Sequence, residues 1–193
     1  MTDPRAWTRA ALIGSLWGAL ELSLGSVLHL SRLPLTGLLM AAIGLVCLLT
    51  LRRLSPLPGV CLVAGAVALV VKVFGIGGLR PGPLIGIAAE AVLVELAVDL
   101  LPRAAGAAAA GSLVFLWNPL QKLAMTRLVA GRETVEAAVV LAGRAAGWLG
   151  FEESSVVWIA FAVLGLLAAA GSAVGLASWW LAGRVARRLG LEP

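Results

Sequence analysis

Residues 10–34, AALIGSLWGALELSLGSVLHLSRLP, stay apolar for long enough to cross a bilayer and yet enclose a carboxylate, Glu21. A hydrocarbon core of about 30 Å takes about 20 apolar residues of helix. A charge held at that depth has to face protein or water rather than lipid. Upstream of it, small residues recur at every fourth position: Ala6, Ala10, Gly14 and Gly18. That spacing lets two helices approach closely. The chain's one histidine, His29, comes at the end of the segment. The segment therefore calls for a helix bundle with a polar interior and at least one tightly packed face.

The rest of the chain repeats the theme. Of its 193 residues, 61% are hydrophobic and 13% charged, against about 25% charged in an ordinary soluble domain. Six apolar spans are read at 6–30, 35–51, 57–74, 82–101, 104–123 and 156–182. The breaks between them carry Ser31-Arg32-Leu33-Pro34, Arg52-Arg53 with Pro56 and Pro58, the run from Gly75 to Pro83, and Pro102-Arg103. The fold class expected is an all-α polytopic membrane protein, a six-transmembrane-helix bundle forming one domain over 1–193. Within the longest connection, residues 133–149 place Val135, Val139, Ala142, Ala146 and Leu149 near one face, an amphipathic pattern. An interfacial helix before the last span is expected there. The first segment does not read as a signal peptide. It is too long, contains Glu21 and shows no small-x-small cleavage site.

Charge placement sets the orientation. Fifteen Lys and Arg against ten Asp and Glu give a net charge of +5. The basic residues flank apolar spans, so they read as topology determinants and not as a nucleic-acid surface. Arg5, Arg9, Arg52, Arg53, Arg103, Arg184, Arg187 and Arg188 share one side if all six spans cross. Both termini are then cytoplasmic, in a multi-pass protein of the cell membrane. Cys47 and Cys61 lie in or beside apolar segments with no metal-ligand spacing and read as inert buried thiols. No metal and no cofactor is expected.

Depths follow from a rise of about 1.5 Å per helical residue. Glu21, Lys72 and Asn118 come out roughly 21–23 Å from the inner boundary, and Glu90 at about 16 Å, near the midplane. His29, Gln121 and Lys122 lie further out, with Trp117 near the outer boundary. An outward-opening pocket for a small polar solute, drawing on Glu21, His29, Lys72, Glu90, Trp117, Asn118 and Gln121, is the functional reading. Structural pairing of Lys72 with Glu21 or Glu90 is the other reading, and the two are compatible. On the fourth span Glu95 and Asp99 stack on one side. Glu90 lies about 140° away from Glu95, in line with Gly82 and Gly86. Asp99 is expected to be interfacial and solvated. The stripe from Ala6 to Gly18 serves either docking to another membrane subunit or packing inside the bundle. The last span repeats it at Gly165, Ala169, Ala173 and Ala177, and again at Gly171 and Gly175.

Several stretches resemble the substrate-binding S component of energy-coupling-factor (ECF) importers. They are Trp17-Gly18-Ala19-Leu20-Glu21, Gly25-Ser26-Val27-Leu28-His29, Leu33-Pro34-Leu35-Thr36-Gly37 and Gly82 to Glu90, with the Gly171–Gly175 helix ending in Arg184, Arg187 and Arg188. The resemblance implies capture of a vitamin or related micronutrient outside the cell. It also implies partnership with a membrane coupling subunit and two cytoplasmic ATPase subunits. In that family an Ala-xxx-Ala pattern on the first helix contacts the coupling subunit, which points to Ala6, Ala10, Gly14 and Gly18 as the docking face. The chain has no Gly-x-x-x-x-Gly-Lys-Ser/Thr loop, so ATP chemistry would belong to the partners.

Other classes compete with this one. A stand-alone ion- or proton-coupled carrier would use Glu21 and Glu90, although no inverted repeat is visible. An intramembrane enzyme would need a nucleophile with its base, or a metal set. One histidine, no His-Glu-x-x-His and no Gly-x-Ser-x-Gly argue against it. A purely structural or assembly role is the remaining alternative.

Overall fold

The computed structural model describes residues 3–30, 35–75, 81–131 and 153–190. Among them all secondary structure is helical, in six helices: α1 (Pro4–Leu30), α2 (Thr36–Leu54), α3 (Val60–Phe74), α4 (Pro81–Leu100), α5 (Arg103–Ala130) and α6 (Glu153–Arg188). The helix starts are chemically marked. Pro4 and Pro81 open α1 and α4 at a position where the missing N–H costs nothing. Gly59 precedes α3 with φ +89°, a left-handed turn that glycine makes without strain.

Four of the helices begin and end within three residues of the expected spans, whereas α6 runs on to Arg188, past 182, and α5 to Ala130, well past 123. Hydropathy falls at Lys122 and Arg127, but no helix breaker occurs until Gly131, which stops the helix at φ +85°. Backbone chemistry, not apolarity, sets that end. The amphipathic helix expected at 133–149 falls outside the described residues.

The six helices form an arc around a hub. α1 packs on α3, α3 on α4, α4 on α5 and α5 on α6, while α2 touches all five. α2 therefore carries much of the core, with Ala41, Leu45, Leu48, Leu49 and Leu51 buried. Trp17, Val94 and Val114 close around it.

Two crossings are very close. At α1–α3 a methyl added to Gly14 would lie 2.5 Å from the Ala64 carbonyl oxygen, and one on Gly18 would lie 2.8 Å from Val71 Cβ. At α5–α6 a methyl on Gly111 or Gly175 would overlap the backbone of Gly171 or Ala107 respectively. Ser112 and Ser172 bridge that crossing with hydroxyls 2.6 Å apart. Ser112 also donates to the Ala168 carbonyl at 2.9 Å. Small residues bring the backbones together, and the serines then satisfy each other and the carbonyls they reach. Gly165, in contrast, faces open space.

One end of the bundle is clamped by charge. Arg52 of α2 donates to Glu95 of α4 at 2.9 Å and pairs with Asp99 as well. Glu95 also accepts from the backbone N–H of Gly59 at 2.6 Å and of Cys61 at 2.8 Å. Its carboxylate thus caps the otherwise unpaired amides that open α3 and sits at the positive end of that helix. Asp99, expected as an interfacial and solvated residue, is exposed, with its side chain at 35%, and also forms one arm of this clamp. Arg9 ties α1 to the same end through the Leu54 carbonyl at 2.7 Å. Arg53 stacks over Trp179 of α6, 4.7 Å from the ring centroid.

The outside is apolar. Leu12, Phe74, Leu100, Trp158 and Leu166 are among the large side chains exposed on it. Thr36–Leu54 and Val157–Arg188 are long and apolar enough to cross a membrane, and the latter is scarcely buried by the other helices. Val60–Phe74 is apolar but shorter than a full crossing. Length and composition thus support two of the six expected spans.

Glu95→Gln should cost about 3 kcal/mol, because it removes the more buried of Arg52's two carboxylate partners and weakens the cap on α3. Asp99→Asn, at the half-solvated arm, should cost under about 1 kcal/mol. Thermal unfolding of the purified variants in one detergent measures the difference.

Candidate functional site

A cavity of about 220 Å³ lies at the end of the bundle away from the Arg52 clamp. Five helices contribute to it. α1 gives Glu21 and α3 gives Lys72. α2 supplies Gly37 and Met40. Gly82, Gly86 and Glu90 come from one stripe of α4, as their spacing of four requires. α5 adds Asn118, Gln121, Lys122 and Met125. One water needs roughly 10–15 Å³ by the same measure, so the space suits an organic solute.

Lys72 and Glu21 meet on one wall. The Lys72 ammonium donates to the Glu21 backbone carbonyl at 2.8 Å and pairs with its carboxylate at 3.2 Å. Pocket and pairing are both realised, in the same two residues. Gln121 donates its amide N–H to the Gly82 carbonyl, linking α5 to the start of α4. Lys122 is exposed beside it. Glu90 is buried, at 8% exposure, and its Oε2 has no hydrogen-bond partner. Pro119 lies within α5 at this level. It withholds the hydrogen bond that a residue with an N–H would give to the Phe115 carbonyl.

A single device seats these polar groups. Four of them rest on a glycine of a neighbouring helix, and at three of those glycines, Gly37, Gly44 and Gly86, a methyl would collide or crowd. The Asn118 amide lies against Gly37, and the Glu90 carboxylate and the Trp17 ring against Gly44. Gln121 lies against Gly86 at 3.3 Å, and Lys72 Nζ against Gly25 at 3.6 Å. The helix backbone is laid bare at those four places, and the polar side chains occupy the room.

The structure brings together Glu21, Lys72, Glu90, Asn118 and Gln121. It separates Trp117 from them. Trp117 does not line the cavity, and its indole nitrogen is buried without a partner. One residue is about 100° of helix, which turns Trp117 off the stripe that carries Asn118 and Lys122. His29 lies in the last turn of α1, but its side chain falls outside the described residues. Met40 and Met125 were not anticipated. Each follows from helical spacing once a pocket residue is known: Met40 is three residues from Gly37, and Met125 four from Gln121.

The docking face expected on α1 is corrected. Ala6 and Ala10 are fully buried, and Gly14 and Gly18 press on α3. The stripe is spent on internal packing, so in this conformation no partner reaches it. Comparison with known protein families, with curated proteins and with solved structures finds no match to this chain.

Gly14→Ala should destabilise the protein by about 1–3 kcal/mol, the usual cost of overpacking. Gly165→Ala, facing open space inside a helix, should be neutral or stabilising by up to about 1 kcal/mol. Detergent-resistance midpoints of the two variants test where the small-residue stripes matter.

Proposed function

We propose that this chain is a membrane-embedded solute-binding protein whose six helices all cross the bilayer, with the cavity opening outward and both termini cytoplasmic. One observation carries the reading. An apolar-surfaced bundle holds, at one end, a cavity with two carboxylates and two ammonium groups on its walls. Charges in lipid are costly and persist where they serve a site or a path. Large apolar side chains exposed on all six helices support the membrane setting. The arginines near the clamped end, Arg9, Arg52 and Arg53, support its cytoplasmic placement.

Within that class we favour the S component of an ECF importer, on the motifs quoted above. The protein would capture a micronutrient from outside and hand it inward with a membrane coupling subunit and two cytoplasmic ATPase subunits. The α1 stripe does not serve as the docking face in this reading, since α3 occupies it. A second reading, a proton- or ion-coupled carrier, draws on the unpartnered carboxylate of Glu90, a group able to exchange a cation during a cycle.

Native mass spectrometry of the protein extracted from its own membranes should find a retained small molecule. Lys72→Ala and Glu21→Gln should each lower its occupancy at least tenfold, about 1.4 kcal/mol, with the fold retained. Normal retention in both variants would remove the cavity from the binding site. In liposomes containing this chain alone, the retained solute should not accumulate under an imposed pH gradient. Accumulation there would favour the carrier.

A further inference from the structure

One acid on the cavity wall lacks a donor at the oxygen that lies against Gly44 of α2. Glu90 Oε2 is buried and unpartnered, and the residue lines the cavity. Among the described residues, the basic groups around it are committed or distant. Lys72 is held by the carboxylate and carbonyl of Glu21. Arg52 is taken by Glu95 and Asp99 in the clamp. Lys122 is exposed at the cavity. Gln121 spends its amide N–H on the Gly82 carbonyl. Its second N–H is uncommitted, and its carbonyl oxygen, which lies over Gly86, is a second acceptor at the site. The wall thus sets an acid that lacks a donor beside the neutral amides of Asn118 and Gln121, and among the described residues the uncommitted cation at the cavity, Lys122, stands in an exposed position.

From this we infer that the solute is a compact organic cation whose nitrogen carries at least two N–H bonds, an ammonium or amidinium, seated on Glu90 and Gln121. This inference rests on the solute-binding reading above and adds the charge of the solute to it. Burying a carboxylate without a partner costs several kcal/mol. A cationic N–H recovers that cost through a charge-assisted hydrogen bond about twice as strong as a neutral one. The cavity is too roomy for a bare ion to fill and wide enough for an organic one. An anionic group on the same solute would face Lys122, so zwitterions fall within the class.

The test offers the full-length protein in lipid nanodiscs a defined equimolar mixture of amino acids, polyamines, heteroaromatic amines, polyols, nucleosides and dicarboxylates. Retained species are identified by mass spectrometry. Enrichment of species bearing a cationic nitrogen is expected, falling at least tenfold in Glu90→Gln. Should that variant fail to fold, Glu90→Asp, which keeps the charge one methylene shorter, should retain the same class more weakly. Enrichment of neutral or anionic species, or enrichment unaffected by Glu90→Gln, overturns the cation and leaves solute binding standing. Retention of nothing by the folded wild-type protein overturns both.

Discussion

Close backbone contact through small residues holds this molecule together. Two of its helices are long and apolar enough to cross a membrane, a setting in which packing and interhelical hydrogen bonds, not a hydrophobic force, hold helices together. Gly14 and Gly18 seat α3 on α1, and Gly111, Gly171 and Gly175 seat α6 on α5. Those two pairs form the flanks of the arc. With its flanks fixed, α2 fills the centre and touches every other helix. The large side chains are then divided in two ways: Leu45, Leu48 and Leu49 point inward, while Leu12, Leu113 and Leu166 point outward.

The two ends of the bundle treat charge oppositely, and α4 shows it within five residues. Glu95 collects an arginine and two backbone amides. Glu90 leaves one oxygen with nothing. A satisfied buried carboxylate fastens helices, whereas an unsatisfied one is a cost kept for some other purpose. A helix turns about 100° per residue, so two acids five apart face different neighbours. One faces the start of α3 and the other the cavity and α2.

Much of this was legible from spacing alone. The depth count placed Glu21 level with Lys72, and the two pair. The stripe of Gly82, Gly86 and Glu90 reads directly from a period near four. Three features were not legible, each for a physical reason. The role of Glu95 depends on Arg52 and the start of α3, which are distant in sequence, so no local pattern reports it. The small residues of α1 fit a partner helix equally well whether it belongs to this chain or another, because sequence encodes the shape of a face and not its occupant. The end of α5 was missed because apolarity was read as helix length, while Gly131 decides it. Trp117 shows a fourth limit: depth along a helix says nothing of rotation about it.

The glycine seats under the polar side chains separate two properties that most binding sites entangle. The cavity takes its charge from Glu21, Lys72, Glu90 and Lys122, while its room is set by what lies behind the amides. A single methyl at position 37 or 86 would push Asn118 or Gln121 forward into the cavity. The aperture could thus be retailored one carbon at a time while the ionic groups stay untouched. The room of the cavity and its charge are written in different residues, and related chains could diverge in the first without giving up the second.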